Sequence, residues 1–287
     1  MTKIAIATDS NSGIKINECY DNDIFVLPMP FIIDGKEFEE EISLSQQEFY
    51  SKLEENATIS TSQPSLGAVA DFWENILKDY DEIVYIPMSS GLSGSTASAL
   101  TLSNDYPNVY VVDNNRISVT QKQSVYDALA LAKKGLSAKE IKEYLENTKS
   151  DSSIYITVAT LKYLKKGGRI TAAVAALGTL LKIKPILQIQ GKKLDAYAKV
   201  LNHTQAKAKM IKAIQFDIET RFKELYEKQE LRLSVAHTNN HSEAVKFAEE
   251  VKKAFPDIEF AYIDPLSLSV SCHIGPGALA IAISRKI

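Results

Sequence analysis

Short apolar runs, each followed by a helical pattern, constrain this chain most. Residues 4–7 (Ile-Ala-Ile-Ala), 83–86 (Ile-Val-Tyr-Ile) and 109–112 (Val-Tyr-Val-Val) lack the alternation of a strand with one wet face. Runs of this kind fit strands covered on both faces, as in a parallel sheet. Helical patterns follow at 66–78, 93–103, 118–133 and 138–148. Strand and helix in alternation, joined by short polar connectors, imply βαβ units. Between them, 25–33 and 36–38 flank Asp34-Gly35, a pair that signals a hairpin turn.

The second half reads differently. A strand is expected over 154–159, and a hairpin from 186–190 and 194–200 about Gly191-Lys192. A long helix over 204–228 follows, then a strand at 232–237, a helix at 242–254, strands at 258–263 and 266–272, and a helical or strand run at 278–283. Strand pairs beside helices predict an α+β domain. Gly135 and the polar stretch 147–153 place the boundary near residue 150. The expected fold class is therefore α/β with two domains. An N-terminal, mostly parallel-sheet α/β domain occupies 1–150, and a C-terminal α+β domain occupies 151–287.

Composition narrows the function classes. The chain has 287 residues, 45% hydrophobic and 24% charged, as a globular protein does. A net charge of −3 argues against bulk nucleic-acid binding. Two cysteines, Cys19 and Cys272, make no disulfide framework and point to a reducing, cytoplasmic setting. Residues 1–7 read as a strand rather than a signal peptide. The longest apolar stretch, 170–181, is too short to span a bilayer. Charge is uneven: residues 152–194 hold no acid and eight of the 33 basic residues, leaving 25 elsewhere against 36 acids. This basic segment is either solvated surface or a docking face for an acidic partner. Within it, Lys165, Lys166 and Arg169 flank Gly167-Gly168 in an expected loop.

Two hydroxyl-rich runs precede helical patterns: Ser60-Thr61-Ser62-Gln63-Pro64-Ser65 and Ser89-Ser90-Gly91-Leu92-Ser93-Gly94-Ser95. Ser and Thr are favoured helix caps. The same groups at a helix N-terminus also suit a carboxylate or phosphate. A third cluster, Ser269-Val270-Ser271-Cys272-His273-Ile274-Gly275-Pro276-Gly277, adds a histidine donor and glycines that let backbone approach a ligand. Together the three favour an anion site. A serine hydrolase is the rival, with Ser93, Asp264 and His273 in α/β-hydrolase order, but the elbow motif needs glycine at 95, where Ser95 stands. Cys272 and His273, adjacent on an expected strand, would point to opposite faces and form no dyad. His237 and His241 are split by Thr238-Asn239-Asn240, which reads as a turn, so a metal site is not expected. No G-x-G-x-x-G or P-loop supports nucleotide binding.

Taken in order, several motifs resemble the DegV family. They are Asp9-Ser10, Thr61-Ser62-Gln63-Pro64-Ser65, Ser89 through Ser95, Leu164-Lys165-Lys166-Gly167-Gly168-Arg169-Ile170, Lys184-Pro185-Ile186-Leu187 and His273-Ile274-Gly275-Pro276-Gly277-Ala278-Leu279. They span essentially the whole chain. Asp113-Asn114, Cys272-His273 and Ser12-Gly13-Ile14 depart from the family's usual Asp-Ser, Thr-His and early-loop patterns. The resemblance implies two domains holding one long-chain fatty acid between them, such as palmitate, stearate or oleate. It implies a carrier without catalytic residues or cofactor, the acyl-binding subunit of a bacterial two-component fatty acid kinase in phospholipid synthesis. The partner implied is a dihydroxyacetone-kinase-like subunit that converts the bound carboxylate to an acyl phosphate, with at most transient membrane contact. By the same resemblance Thr61 and Ser93 meet the carboxylate, Ser62 and Gly94 share the cradle, and His273 lies beside the head group. A lipid sensor that works without a kinase would read the same way.

Overall fold

A computed structural model of the chain describes residues 2–16, 23–40, 42–55, 57–168, 174 and 183–287. The chain divides into two units, Met1–Lys149 with Ser267–Ser269, and Ser150–Leu266 with Val270–Ile287.

In the first unit, β1 (Ile4–Asp9), β2 (Ile24–Leu27), β6 (Glu82–Ile86) and β7 (Val109–Val111) form a parallel sheet ordered β2-β1-β6-β7. The apolar runs are apolar because both faces are covered. Ala5 and Ala7 of β1 pack with Val69 and Trp73 of α2 (Leu66–Ile76) and Ala99 of α3 (Ser95–Leu102). Ile6, on the other face, packs with Val125 and Ala128 of α4 (Val119–Lys133) and Ile141 of α5 (Ala138–Asn147). Alternate residues of one strand thus feed two cores. A separate antiparallel sheet joins β3 (Pro30–Ile33), β4 (Lys36–Glu39) and β5 (Ile59–Thr61) in the order β4-β3-β5. Its hairpin turns at Asp34 (φ 49°) and Gly35 (φ 80°), both left-handed, as the twist of a two-residue loop requires. The helix α1 (Gln46–Glu54) starts with a capping box between Ser45 and Glu48.

The second unit is built on a six-stranded sheet. Its strands are β8 (Ser152–Thr157), β9 (Lys184–Ile189), β10 (Leu194–Val200), β11 (Leu231–His237), β12 (Glu259–Pro265) and β13 (Leu279–Arg285), ordered β10-β9-β8-β13-β11-β12. Only the β11–β12 pair is parallel among these strands. One face carries Tyr155, Val235, Leu279 and Ile281 and packs on α7 (His203–Thr220) and α9 (His241–Ala254). The other face carries the buried Ile154, Ile156, Leu187, Ala236, Ala280 and Ala282. A short helix α6 (Lys162–Lys166) follows β8.

Three expected elements need correction. The strand expected over 25–33 is two: β2 ends at Leu27 in the parallel sheet, and β3 starts at Pro30 in the antiparallel one. The single helix over 204–228 is broken: α7 ends at Thr220 and α8 (Lys223–Glu227) starts anew. At the break the amides of Arg221 and Phe222 both donate to the carbonyl of Asp217, at 2.8 and 2.9 Å, and Phe222 turns into the core. The strand expected over 266–272 is instead a helix, α10 (Leu268–Ile274). Its alternating Ser-Leu-Ser-Val-Ser pattern has the period of a strand. Tertiary hydrogen bonds override it: the Leu268 amide donates to the Glu40 carboxylate, and Ser267 and Ser269 donate to Asn11.

Candidate functional site

The order β2-β1-β6-β7 runs to one side of β1 through β2 and to the other through β6. The crevice beyond the carboxyl ends of β1 and β6 is therefore a topological switch point, where open α/β sheets bind ligands. Asp9 closes β1 there. Its buried carboxylate accepts from the Met88 amide at 2.8 Å, the Asn11 amide at 3.0 Å and Gln121 Nε2 at 3.1 Å. Burial raises its pKa, and these hydrogen bonds oppose the rise. The Met88 bond pins the loop between β6 and α3 to the end of β1.

That loop carries the second hydroxyl run. Ser89 Oγ accepts from the Gly91 amide at 3.3 Å, and Ser90 donates to Asp113 at 2.9 Å. Ser93 Oγ accepts from the Ser95 amide at 3.2 Å. Gly94 is the N-cap of α3 and offers no side-chain cap; Ser93 and Gly94 thus precede the helix expected to begin at 93. The Ser95 hydroxyl is buried and has no partner among the described residues. A helix start whose N-cap residue supplies no side chain, beside a buried hydroxyl without a partner among the described residues, offers donors to an anion.

The first run splits into two roles. Ser65 caps α2, accepting from the Ala68 amide at 3.1 Å. Thr61 ends β5 half-buried, opposite Phe31, and Ser62 is exposed beside it. Gln63 joins this run to the other: its Nε2 donates to Ser98 of α3 at 2.9 Å, and a Cβ on Gly94 would sit 2.8 Å from its Oε1. Thr61, Ser62, Ser93 and Gly94 therefore belong to two loops held side by side in the first unit. Gln63 had no role in the sequence reading, because a contact across 35 residues leaves no local pattern.

His273 belongs to the second unit, in the last turn of α10. A Cβ on Gly167 would lie 2.0 Å from its Nδ1, so the imidazole occupies the space a side chain there would fill. Gly275 (φ +78°) lets the chain turn and receives the Tyr163 ring, which would stand 2.2 Å from any Cβ. Thr238 holds this turn: its hydroxyl donates to the Gly275 carbonyl and accepts from the Ala278 amide at 2.9 Å. The structure thus sets His273 against the end of α6. Lys165 and Lys166 are exposed there, in the last helical turn and not in the expected loop. Cations suit that end of a helix, which accounts for them without a partner. Arg169 and all of 171–178 except the buried Val174 lie outside the described residues.

The rival chemistries gain little. A nucleophile elbow turns sharply from strand into helix. Here β6 ends at Ile86, and a loop separates it from Ser93. Cys272 and His273 lie on a helix, correcting the extended geometry expected for them, and successive helical side chains still diverge. The His237 and His241 rings are 5.4 Å apart, but no group of three or more metal-ligating side chains converges among the described residues. No described helix is long and apolar enough to cross a membrane.

The chain matches, over residues 3–286, the family described as "uncharacterised protein, DegV family". Protein DegV of Bacillus subtilis (strain 168) is 31% identical over 283 residues, covering 97% of this chain and 98% of its own. The crystal structure of DegV from Bacillus subtilis, a fatty acid binding protein, matches with a TM-score of 0.86 and 30% identity over 100% of both chains. A fatty-acid-binding DegV family protein from Thermus thermophilus matches with a TM-score of 0.89 and 27% identity over 99% of both. Fold and length agree from one end of the chain to the other, and the chain belongs to the DegV family.

Proposed function

We propose that this protein binds one long-chain fatty acid and presents its carboxylate to a separate kinase subunit, without chemistry of its own. The observation that carries the reading is the pair of hydroxyl runs joined by Gln63 at the start of α3, whose N-cap Gly94 supplies no side-chain cap, with the Ser95 hydroxyl beside them lacking a partner among the described residues. Solved relatives of similar architecture from Bacillus subtilis, Thermus thermophilus and Streptococcus agalactiae are described as fatty-acid binding.

In this reading Thr61, Ser62, Ser93 and the Gly94 backbone receive the carboxylate, and His273 donates to the head group. Burial gains about 0.8 kcal/mol per methylene, so a chain of about fifteen contributes on the order of 12 kcal/mol before ordering costs. The head group then needs only enough hydrogen bonds to avoid an unpaired buried carboxylate. The exposed Lys165 and Lys166, with Arg169, form the docking face for an acidic kinase surface or the incoming nucleotide phosphates. The kinase, of the dihydroxyacetone-kinase-like class, transfers a phosphoryl group to the carboxylate and releases an acyl phosphate.

Native mass spectrometry followed by denaturing lipid extraction tests the binding step. A stoichiometric fatty acid, lost in a folded Thr61→Ala/Ser93→Ala variant, is expected. A protein that carries no lipid and takes up no added oleate or palmitate refutes the reading.

A further inference from the structure

One four-residue turn of the first unit braces the loop that carries Ser93. Asp9 ends β1 and a one-turn 3-10 helix, Ser10–Ser12, follows it; Asp9 and Asn11 are 0% and 1% exposed. Asp9 accepts the Met88 amide, while the Met88 carbonyl accepts from Thr96 at 2.6 Å, so Met88 is held from both sides. Ser93 lies on the loop that leaves from this clamp. Asn11 faces the other way along the chain. Its Oδ1 accepts from Ser267 at 3.0 Å and from Ser269, and its Nδ2 donates to the Met88 sulfur at 3.1 Å. Ser10 donates to Glu40 at 2.6 Å, and Glu40 in turn accepts the Leu268 amide. Residues 267–269, where α10 opens, are thereby held to the turn within the first unit. The turn also receives the amides of Met29 and Ser118.

The geometry points to Asp9 and Asn11 as positioning residues for fatty-acid recognition, bracing the Ser93 loop against Ser267 and Ser269 within the first unit. This rests on the fatty-acid reading above and adds to it the groups that set head-group geometry from outside the ligand's reach. All partners of the Asp9 oxygens are N–H donors, so an amide at position 9 would face a donor in either orientation. Removing the Asn11 amide leaves two buried serine hydroxyls without their acceptor. Neither change touches the hydroxyls proposed to meet the carboxylate.

The test compares oleate with oleyl alcohol, which shares the tail and lacks the carboxylate. Affinities for both, and thermal midpoints, are measured on the full chain for Asp9→Asn, Asn11→Ala and Ser269→Ala. Tyr155→Phe serves as control, since it removes a buried hydrogen bond to Asp217 in the second unit. Positioning predicts that the preference for acid over alcohol narrows about tenfold in Asp9→Asn and Asn11→Ala and about threefold in Ser269→Ala. Tyr155→Phe should keep the wild-type preference whatever stability it loses. If the larger changes prevent folding, Ser269→Ala decides, because it removes one donor and adds no bulk. An unchanged preference, or equal weakening of both lipids, overturns the proposal. A wild-type protein that binds neither lipid instead overturns the fatty-acid reading itself.

Discussion

Gly167→Ala isolates the place of His273. The backbone accepts the change, since Gly167 sits at φ −78° as the C-cap of α6. Removing a glycine there should even stabilise the fold by about 0.4–1 kcal/mol through the unfolded chain. The obstacle is the imidazole: the new methyl would lie 2.0 Å from Nδ1, 2.8 Å from Cε1 and 3.2 Å from Cγ. Ordinary contact needs about 3.5 Å, so the ring must retreat by roughly 1.5 Å. A hydrogen bond lengthened that far is lost. With a charged acceptor the loss is about 1.5–3 kcal/mol, or roughly 10–100-fold in fatty-acid affinity. Overpacking costs about 1–3 kcal/mol, so the thermal midpoint should change little or fall modestly. The assay is fluorescence displacement of a bound fatty acid for Gly167→Ala, His273→Ala and the double variant. If the methyl acts through the imidazole, it costs nothing further once His273 is alanine. Wild-type affinity in Gly167→Ala, or a cost that adds in full to that of His273→Ala, refutes the reasoning.

Three further outcomes are expected. Gly94→Ala, at φ −73°, should fold normally but displace the Gln63 side chain from Ser98, weakening fatty-acid binding about fivefold in the same displacement assay. Lys166→Glu with Arg169→Glu should abolish phosphorylation by the kinase while leaving lipid affinity intact; unchanged turnover would rule out the docking face. His237, buried and beside His241, is held down to about 4 against an ordinary 6.5. As pH falls through that interval the unfolded chain takes up the proton and the folded chain does not. Stability is therefore full above about pH 6.5 and declines toward pH 4, by up to about 3 kcal/mol, a slope that urea unfolding of His237→Gln should lack.

What the sequence made legible was local. The runs at 4–7, 83–86 and 109–112 read correctly as parallel strands because burial on both faces leaves an uninterrupted apolar stretch. Asp34-Gly35 read as a turn because two left-handed residues are needed there. The misread helix α10 shows the limit. Ser267 to Cys272 alternate as a strand would, and the deciding partners, Asn11 and Glu40, stand more than two hundred residues away. The break at Arg221 was hidden for a related reason. Helical periodicity continues through it, and only the buried carbonyl and carboxylate of Asp217 mark the stop. At the site, the hydroxyl runs were visible as composition. Separating the cap (Ser65) and the local braces (Ser89, Ser90) from the hydroxyls proposed for the cradle (Thr61, Ser62, Ser93) needed coordinates, because caps and anion sites use the same residue types.

The choice of groups has a mechanical logic. A guanidinium pair would hold a carboxylate by two charge-assisted bonds and occupy both oxygens. Hydroxyls and backbone amides at a helix start bind the same anion through weaker, single contacts. For a protein that only stores lipid, the tighter grip would serve better. For one that hands the carboxylate to a second protein, an oxygen must stay open to the incoming phosphoryl group. Retention must then come from the tail, whose burial scales with every methylene and does not change when the head group reacts. Precision falls to residues behind the contacts, and so the buried Asp9–Asn11 turn matters. Single hydrogen bonds tolerate little misplacement, and at the proposed Ser93 contact their geometry would be set by groups that the ligand never touches.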